Sequence, residues 1–261
     1  MKLIPVLKRE AIVLATLYDL SCPFSPFQAF PHVYYLESNL AKLLYAKYLL
    51  DRYNAWDEVF EAILRGSSNE VVEILRSIEV YKWDDIKEIL KDVAKGVLEL
   101  HRRFMEKFVY YTQKIFGFNQ YFSKVYLILG FNPLLHTSHG NGMGNVKRFP
   151  VVACFINDLV ERKIILDIAY HEILHRLIWL NRLKLSDKVQ EVLLEFICPK
   201  GYLSELIGLS KRRLKKHLPS KYEWFKREYE LLRDRVEEYF KNRTYEQMTI
   251  IEYLKDLLKG I

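Results

Sequence analysis

The strongest chemical signal in this chain is the run His171-Glu172-Ile173-Leu174-His175, which lies within an apolar stretch. Residues four apart on an α-helix lie on one face, so both imidazole rings can reach a single Zn²⁺ ion at about 2.0–2.1 Å. Glu172 is turned by about 100° around the helix axis, so it can take a proton from a zinc-activated water without binding the metal. The pattern therefore predicts a zinc site with Glu172 as the catalytic base.

A third ligand is expected because a catalytic zinc ion normally has three protein ligands. Glu191 and Glu195 lie one helical turn apart, and 19 residues separate Glu195 from His175. The neighbours of Glu195 are apolar, a setting in which a carboxylate without a partner is costly: Leu193, Leu194, Phe196 and Ile197. We expect Glu195 to complete the site, with Glu191 as the alternative. The glutamate that does not bind the metal would then support the ligands.

Two helices and two strands must position these residues. Apolar periodicity predicts the first helix over residues 160–183 and the second over residues 186–198. Runs of β-branched and aromatic residues predict a strand within residues 121–130 and another at Val151–Ile156. The sequence therefore predicts a small sheet that precedes the two helices of the site.

The other segments are predicted to be mainly helical. We predict a predominantly helical α+β fold with a helical N-terminal region, residues 1–120, and a domain over residues 121–261 that holds the site and ends in charged helices. The two regions could also form one continuous domain. Three glycines within residues 136–148 predict a flexible flap over the cleft, with His136 and His139 flanking it in exposed positions.

Composition excludes several classes of protein. Half of the 261 residues are hydrophobic, which is too many for a disordered chain. Cys22, Cys154 and Cys198 are too few and too scattered for a disulfide framework or a thiolate zinc site. The sequence contains no apolar stretch that could span a membrane and no recognisable signal peptide. We therefore expect a cytoplasmic protein without a membrane partner, and the richness in Lys, Glu, Ile and Leu is typical of a thermophile.

The positive charge is concentrated near the end of the sequence. The net charge is +7, and residues 200–261 carry 15 Lys and Arg against 10 Asp and Glu. The densest basic run is residues 211–216. Nucleic acid is one conceivable partner for such a run, but no aromatic platform for bases accompanies it, so a solvated helix face is the preferred interpretation.

The motif resembles that of the zincin metallopeptidases, specifically the gluzincin branch, in which two histidines on one helix are completed by a glutamate on the next. His171, Glu172 and His175 match the motif, and Glu195 falls at the separation usual in that branch. The order of elements is also similar to that of a poorly characterised group of predicted metallopeptidases. The resemblance implies a zincin-like core and a zinc-dependent peptidase that acts on a peptide or protein substrate.

The resemblance also implies two further features of the site. Val151–Ile156 is similar in position to the edge strand to which extended peptides add in that family. The oxyanion formed during hydrolysis needs a hydrogen-bond donor opposite the metal. The candidate donors are spread over the C-terminal region: Tyr202, His217, Tyr222 and Tyr245.

Two alternatives remain at this stage. Arg176 and Pro199 depart from the family pattern, which suggests a catalytically inactive zincin-like scaffold that binds a protein or nucleic acid through its basic C-terminal helices. The second alternative keeps the hydrolytic site but acts on a non-peptide amide or ester, because zinc and a general base do not specify the acyl group.

Overall fold

The computed structural model describes residues 1–21, 39–80, 82–131, 139–156, 160–213 and 225–258. Over these residues the chain is predominantly helical with a small four-stranded mixed sheet, so the predicted α+β class is confirmed. The strands are β1 (Lys2–Val6), β2 (Lys124–Phe131), β3 (His139–Asn141) and β4 (Val151–Ile156). The helices are α1 (Arg9–Ser21), α2 (Leu40–Arg52), α3 (Trp56–Arg65), α4 (Glu70–Arg76), α5 (Trp83–Phe116), α6 (Arg162–Leu180), α7 (Asp187–Ile197), α8 (Tyr202–Leu206), α9 (Lys226–Lys241), α10 (Ile250–Tyr253) and α11 (Lys255–Leu258).

Contacts divide the chain into two compact units, each built from two separate stretches. The first unit is Met1–Leu98 with Ser123–Ile165, and the second is Glu99–Phe122 with Leu166–Ile261. The boundary predicted at residue 120 lies inside the second unit, and the division into domains 1–120 and 121–261 stays a prediction. Among the helices of the described residues, none combines the length and apolar character needed to cross a membrane.

The first unit contains the sheet, whose strand order is β1-β2-β4-β3. β1 and β4 pair with β2 in parallel, whereas β3 pairs with β4 in antiparallel orientation. The sequence predicted the N-terminal region as helical and did not predict the strand β1, which lies at an edge of the sheet. Pro5 within this strand explains the miss, because proline weakens a strand pattern and is tolerated at a sheet edge.

The sheet corrects one expectation about substrate binding. The predicted strand Val151–Ile156 has the predicted bounds, but it is not an edge strand, since β2 pairs along its whole length and β3 pairs with residues 153–155. All six of its residues are buried, as is usual for an interior strand with a continuous apolar sequence. β3 arises within the predicted flap. His136 and the side chain of His139 lie outside the described residues.

The second unit contains α7 and the part of α6 from Leu166 onward, which carries the motif. α6 is followed by a short connection and by α7, whose first turn is capped by the Ser186 side chain accepting a hydrogen bond from the Val189 backbone N–H. Aromatic stacking fixes both helices within this unit. Tyr170 on α6 stacks on Phe108 of α5 at 4.1 Å between ring centroids, and Phe196 on α7 stacks on Tyr229 of α9 at 5.1 Å.

Candidate metal centre

The two histidines of the motif face each other on α6. His171 Nε2 and His175 Nε2 are 3.1 Å apart, and the ring centroids are 4.8 Å apart. His171 is buried, with 6% of its surface exposed, whereas His175 is only partly buried. The spacing of four residues therefore brings two imidazole nitrogens to one point at the border between core and solvent, as the sequence predicts.

Glu191 supplies the third potential ligand at this point. Its Oε1 lies 3.5 Å from His175 Nε2, and the candidate ligand atoms of His171, His175 and Glu191 all lie within 4.8 Å of one another. Among the described residues this is the cluster of histidine, cysteine and acidic side chains that could hold a metal ion.

The structure brings Glu191, the alternative third ligand, to the two histidines, and the assignment of Glu195 as the ligand stays a prediction. The reason is the register between the two helices: His175 contacts Gln190 and Glu191, so Glu195 lies one turn further along α7. Burial raises the pKa of Tyr229 on α9, and Glu195 adds to that rise. Spacing and apolar neighbours could not distinguish these two glutamates.

Each imidazole is held through its other nitrogen. His171 Nδ1 lies 2.6 Å from the carbonyl oxygen of Cys198, and His175 Nδ1 lies 2.6 Å from Gln190 Nε2. A carbonyl oxygen only accepts, so His171 Nδ1 carries the proton and its Nε2 presents a lone pair to the cluster. A histidine that binds zinc commonly donates its second ring N–H to a carbonyl group in this way.

The donor set matches the requirements of a zinc ion. Two imidazole nitrogens and one carboxylate are the ligands of one class of catalytic zinc site, which keeps a further position open for water or substrate. Soft thiolate ligands are absent from this cluster: Cys198 is buried, and its Sγ donates to Asp167 Oδ1 at 2.8 Å. His171, His175 and Glu191 therefore fit zinc.

Glu172 is the residue that the motif predicts as the base. It follows His171 directly on α6 and is buried, with 7% of its surface exposed. Arg176, which departs from the gluzincin pattern, is buried. Its guanidinium lies 5.6 Å from the centroid of the Trp179 ring. Arg176 therefore packs against a neighbour on its own helix.

The candidate oxyanion donors are only partly described. Tyr202 and Tyr245 line a pocket of about 330 Å³, where the Tyr202 ring stacks on Phe240 at 4.2 Å. His217 and Tyr222 lie outside the described residues. The role of any of these residues as an oxyanion donor stays a prediction.

The basic run that suggested a nucleic-acid partner is also described in part. Arg212 lies over the Tyr202 ring at 4.3 Å and is 3.8 Å from Glu205, so its guanidinium belongs to a local packing arrangement. Residues 214–216 lie outside the described part of the chain.

Sequence reasoning missed two polar residues that contact the site or its neighbours, Gln190 and Asp167. Gln190 carried no signal, since an amide on an amphipathic helix is common. Asp167 did carry one: it interrupts the apolar run of residues 164–168 and precedes His171 by four positions, so both lie on one face of the helix.

Comparisons of the chain with protein-family models, curated proteins and solved structures find no match. The interpretation of the metal centre therefore depends on the geometry of its own residues.

Proposed function

We propose that the protein is a zinc-dependent hydrolase with a zincin-like core that cleaves peptide bonds. The observation that carries the proposal is the convergence of His171 Nε2, His175 Nε2 and the Glu191 carboxylate within 4.8 Å, with Glu172 buried next to His171 in the sequence. A helix that brings two imidazole nitrogens together and carries an adjacent buried carboxylate is what hydrolysis by an activated water requires.

The residues at the proposed metal centre have different roles in the mechanism. His171 and His175 would hold the metal through Nε2, and the Cys198 carbonyl oxygen and the Gln190 amide hold the two rings in place. Glu191 would contribute a negative charge that offsets part of the charge of the cation. When bound, zinc supplies Lewis acidity, which polarises a substrate carbonyl and lowers the pKa of a water towards about 7.

Glu172 moves the proton in this mechanism. Its carboxylate accepts a proton from the attacking water and then donates it to the amine that leaves when the peptide bond breaks. Positioned groups of this kind contribute about 10²–10⁴-fold to the rate.

The experiment compares the zinc-loaded protein with its Glu172→Gln variant on a mixture of fluorogenic peptides. We expect the variant to keep about one zinc per chain and to lose hydrolysis by roughly 10²–10⁴-fold. Glu230→Gln is the matched control, because it makes the same change in an exposed glutamate on α9. Peptide cleavage at the wild-type rate by Glu172→Gln would contradict the proposed role of Glu172.

A second set of assays distinguishes a peptidase from an enzyme that acts on other amides or esters. The same zinc-loaded protein is offered simple esters and non-peptide amides. Cleavage of these compounds without cleavage of any peptide would contradict the peptidase assignment and leave the zinc-dependent hydrolase in place.

A further inference from the structure

We propose that Asp167 is a positioning residue for the metal centre: its buried carboxylate holds the segment that follows α7, and through Cys198 it orients the ring of His171. The inference rests on the proposed function, because it concerns a ligand of the proposed zinc ion. It adds a residue that contacts neither the cluster nor the substrate position.

The Asp167 side chain is fully buried and accepts four hydrogen bonds. Oδ1 accepts from the Ser204 hydroxyl at 2.6 Å and from the Cys198 thiol at 2.8 Å. Oδ2 accepts from the Lys200 backbone N–H and from the Ser210 hydroxyl, each at 2.8 Å. A carboxylate has about four acceptor positions, so donors of one chain segment use all of them. Bonds to a charged acceptor inside the core are stronger than ordinary ones.

The segment that these bonds hold has an unusual backbone. Lys200 has φ of +52°, in the left-handed region that disfavours residues other than glycine. Its N–H donates to Asp167 and its carbonyl accepts from the Arg213 N–H at 2.9 Å, so hydrogen bonds on both sides maintain this conformation. Gly201 follows at a point where a Cβ atom would clash with the carbonyl oxygen of Phe196. The path of the chain after α7 is therefore tightly defined.

Cys198 connects this segment to the metal ligand. Its thiol donates to Asp167, and its carbonyl oxygen accepts the Nδ1 proton of His171 at 2.6 Å. Asp167 and His171 lie one turn apart on α6, so the three residues form a closed ring of covalent and hydrogen bonds. If Asp167 no longer held Cys198, the Cys198 carbonyl oxygen would move. The imidazole of His171 would then lose its fixed orientation.

A role in folding alone would have different consequences. In that case substitution of Asp167 would lower stability, but the folded molecules would keep the Nδ1-protonated form of His171 and the wild-type affinity for zinc. The two roles are therefore distinguished by measurements on the folded protein, with a control that loses a buried hydrogen bond elsewhere.

The test uses the full chain and the variants Asp167→Asn, Ser210→Ala and Thr112→Val. Asp167→Asn keeps the shape but replaces one acceptor oxygen with a donor, and Ser210→Ala removes a single half-buried donor. Thr112→Val is the matched control, because the buried Thr112 hydroxyl donates to the Phe108 carbonyl at 2.7 Å within α5. The readouts are the imidazole tautomer of His171 in metal-free protein, from two-bond proton–nitrogen NMR spectra assigned with His171→Gln, and the zinc Kd from chelator competition.

We expect Asp167→Asn to convert His171 to a mixture of tautomers and to raise the zinc Kd by about 10–100-fold, the range found for residues behind metal ligands. Ser210→Ala should raise the Kd by a smaller factor, roughly threefold, while Thr112→Val should change neither readout. Urea unfolding identifies conditions under which every variant is folded.

Two results would overturn the role of Asp167: a wild-type tautomer and Kd in folded Asp167→Asn, or an equal loss of affinity in Thr112→Val. If Asp167→Asn does not fold, Ser210→Ala decides, and a wild-type tautomer and Kd there overturn the proposal. Failure of the wild-type protein to bind zinc would contradict the proposed function instead. The tautomer of His171 in metal-free protein would still decide the role of Asp167.

Discussion

His171 Nδ1 and the carbonyl oxygen of Cys198 lie 2.6 Å apart although 27 positions separate the two residues in the sequence. The carbonyl belongs to the residue at which α7 ends, so the end of one helix orients a ring on the other. Gln190, nearer the start of α7, holds His175 through its amide nitrogen, which lies 2.6 Å from His175 Nδ1. The hydrogen bonds of α7 and its C-cap therefore set the direction in which both Nε2 atoms point.

Replacement of Glu191 tests which glutamate completes the centre. Glu191→Ala should raise the zinc Kd by more than about 100-fold, because removal of a direct ligand costs more than the 10–100-fold loss typical of supporting residues. Glu195→Ala is the comparison on the same helix and should raise the Kd less than Glu191→Ala does, at most by the 10–100-fold typical of a supporting residue. Chelator competition measures both values. The opposite order of effects would restore Glu195 as the ligand.

Gln190 should contribute to zinc affinity through His175. Gln190→Ala removes the side chain 2.6 Å from His175 Nδ1 and should raise the zinc Kd by about 10-fold. Gln190→Glu should bind zinc at least as tightly as the wild type, since a carboxylate oxygen accepts the Nδ1 proton of a metal-bound ring. Lys188→Ala, at an exposed position of α7, is the control. Unchanged affinity in Gln190→Ala would show that the amide does not hold the ring.

A methyl group at residue 201 should affect both stability and the site. The Cβ of Gly201→Ala would clash with backbone carbonyl oxygens at the end of α7, so the free energy of unfolding should fall by about 1–3 kcal/mol in urea titrations. The zinc Kd should also rise, because relief of the clash moves the backbone and displaces Cys198. Gly208→Ala is the control: its φ of +76° makes alanine unfavourable, but its Cβ would meet open space. Zinc affinity that falls equally in both variants would contradict this account.

Tyr170 should make the protein sensitive to alkaline pH. Burial raises the pKa of Tyr170 in the folded state, and electrostatic interactions with Cys198 and Asp167 add to the rise. The neutral side chain of Tyr170 therefore stabilises the folded state fully below the unfolded-state pKa of about 10. This contribution to stability is lost as the pH rises above that value. The free energy of unfolding should fall by up to about 1.4 kcal/mol per pH unit from this residue.

The check on Tyr170 is a series of urea titrations between pH 9 and 12. Tyr170→Phe should reduce the slope of stability against pH, although it also removes the hydroxyl group 3.2 Å from His101 Nδ1. Tyr53→Phe, which removes a hydroxyl group from an exposed ring, is the matched control. An identical slope in the wild type and in Tyr170→Phe would show that ionisation of this residue is not part of the alkaline loss.

The sequence predicted those parts of the site that depend on local periodicity. His171 and His175 lie on one face because any α-helix places residues four apart together, and Ser186 begins α7 because its side chain can cap the first turn. The strand Val151–Ile156 was found for the same reason, since a continuous run of apolar and β-branched residues favours a buried strand.

The parts that the sequence could not predict depend on contacts between distant residues. The choice between Glu191 and Glu195 is set by the register of α7 on α6, which neither helix encodes by itself. The interior position of Val151–Ile156 depends on pairing with β3, a three-residue strand with no pattern of its own. Asp167 was missed because its partners follow it by 31 to 43 positions.

Zinc titration of the metal-free protein by calorimetry, at neutral pH and beside His175→Ala, tests the central claim most directly. The account predicts that the wild-type chain binds about one zinc ion and that His175→Ala loses this binding, because the substitution removes one of three converging ligands. Wild-type protein that binds no more zinc than His175→Ala would contradict the claim that His171, His175 and Glu191 form a metal centre.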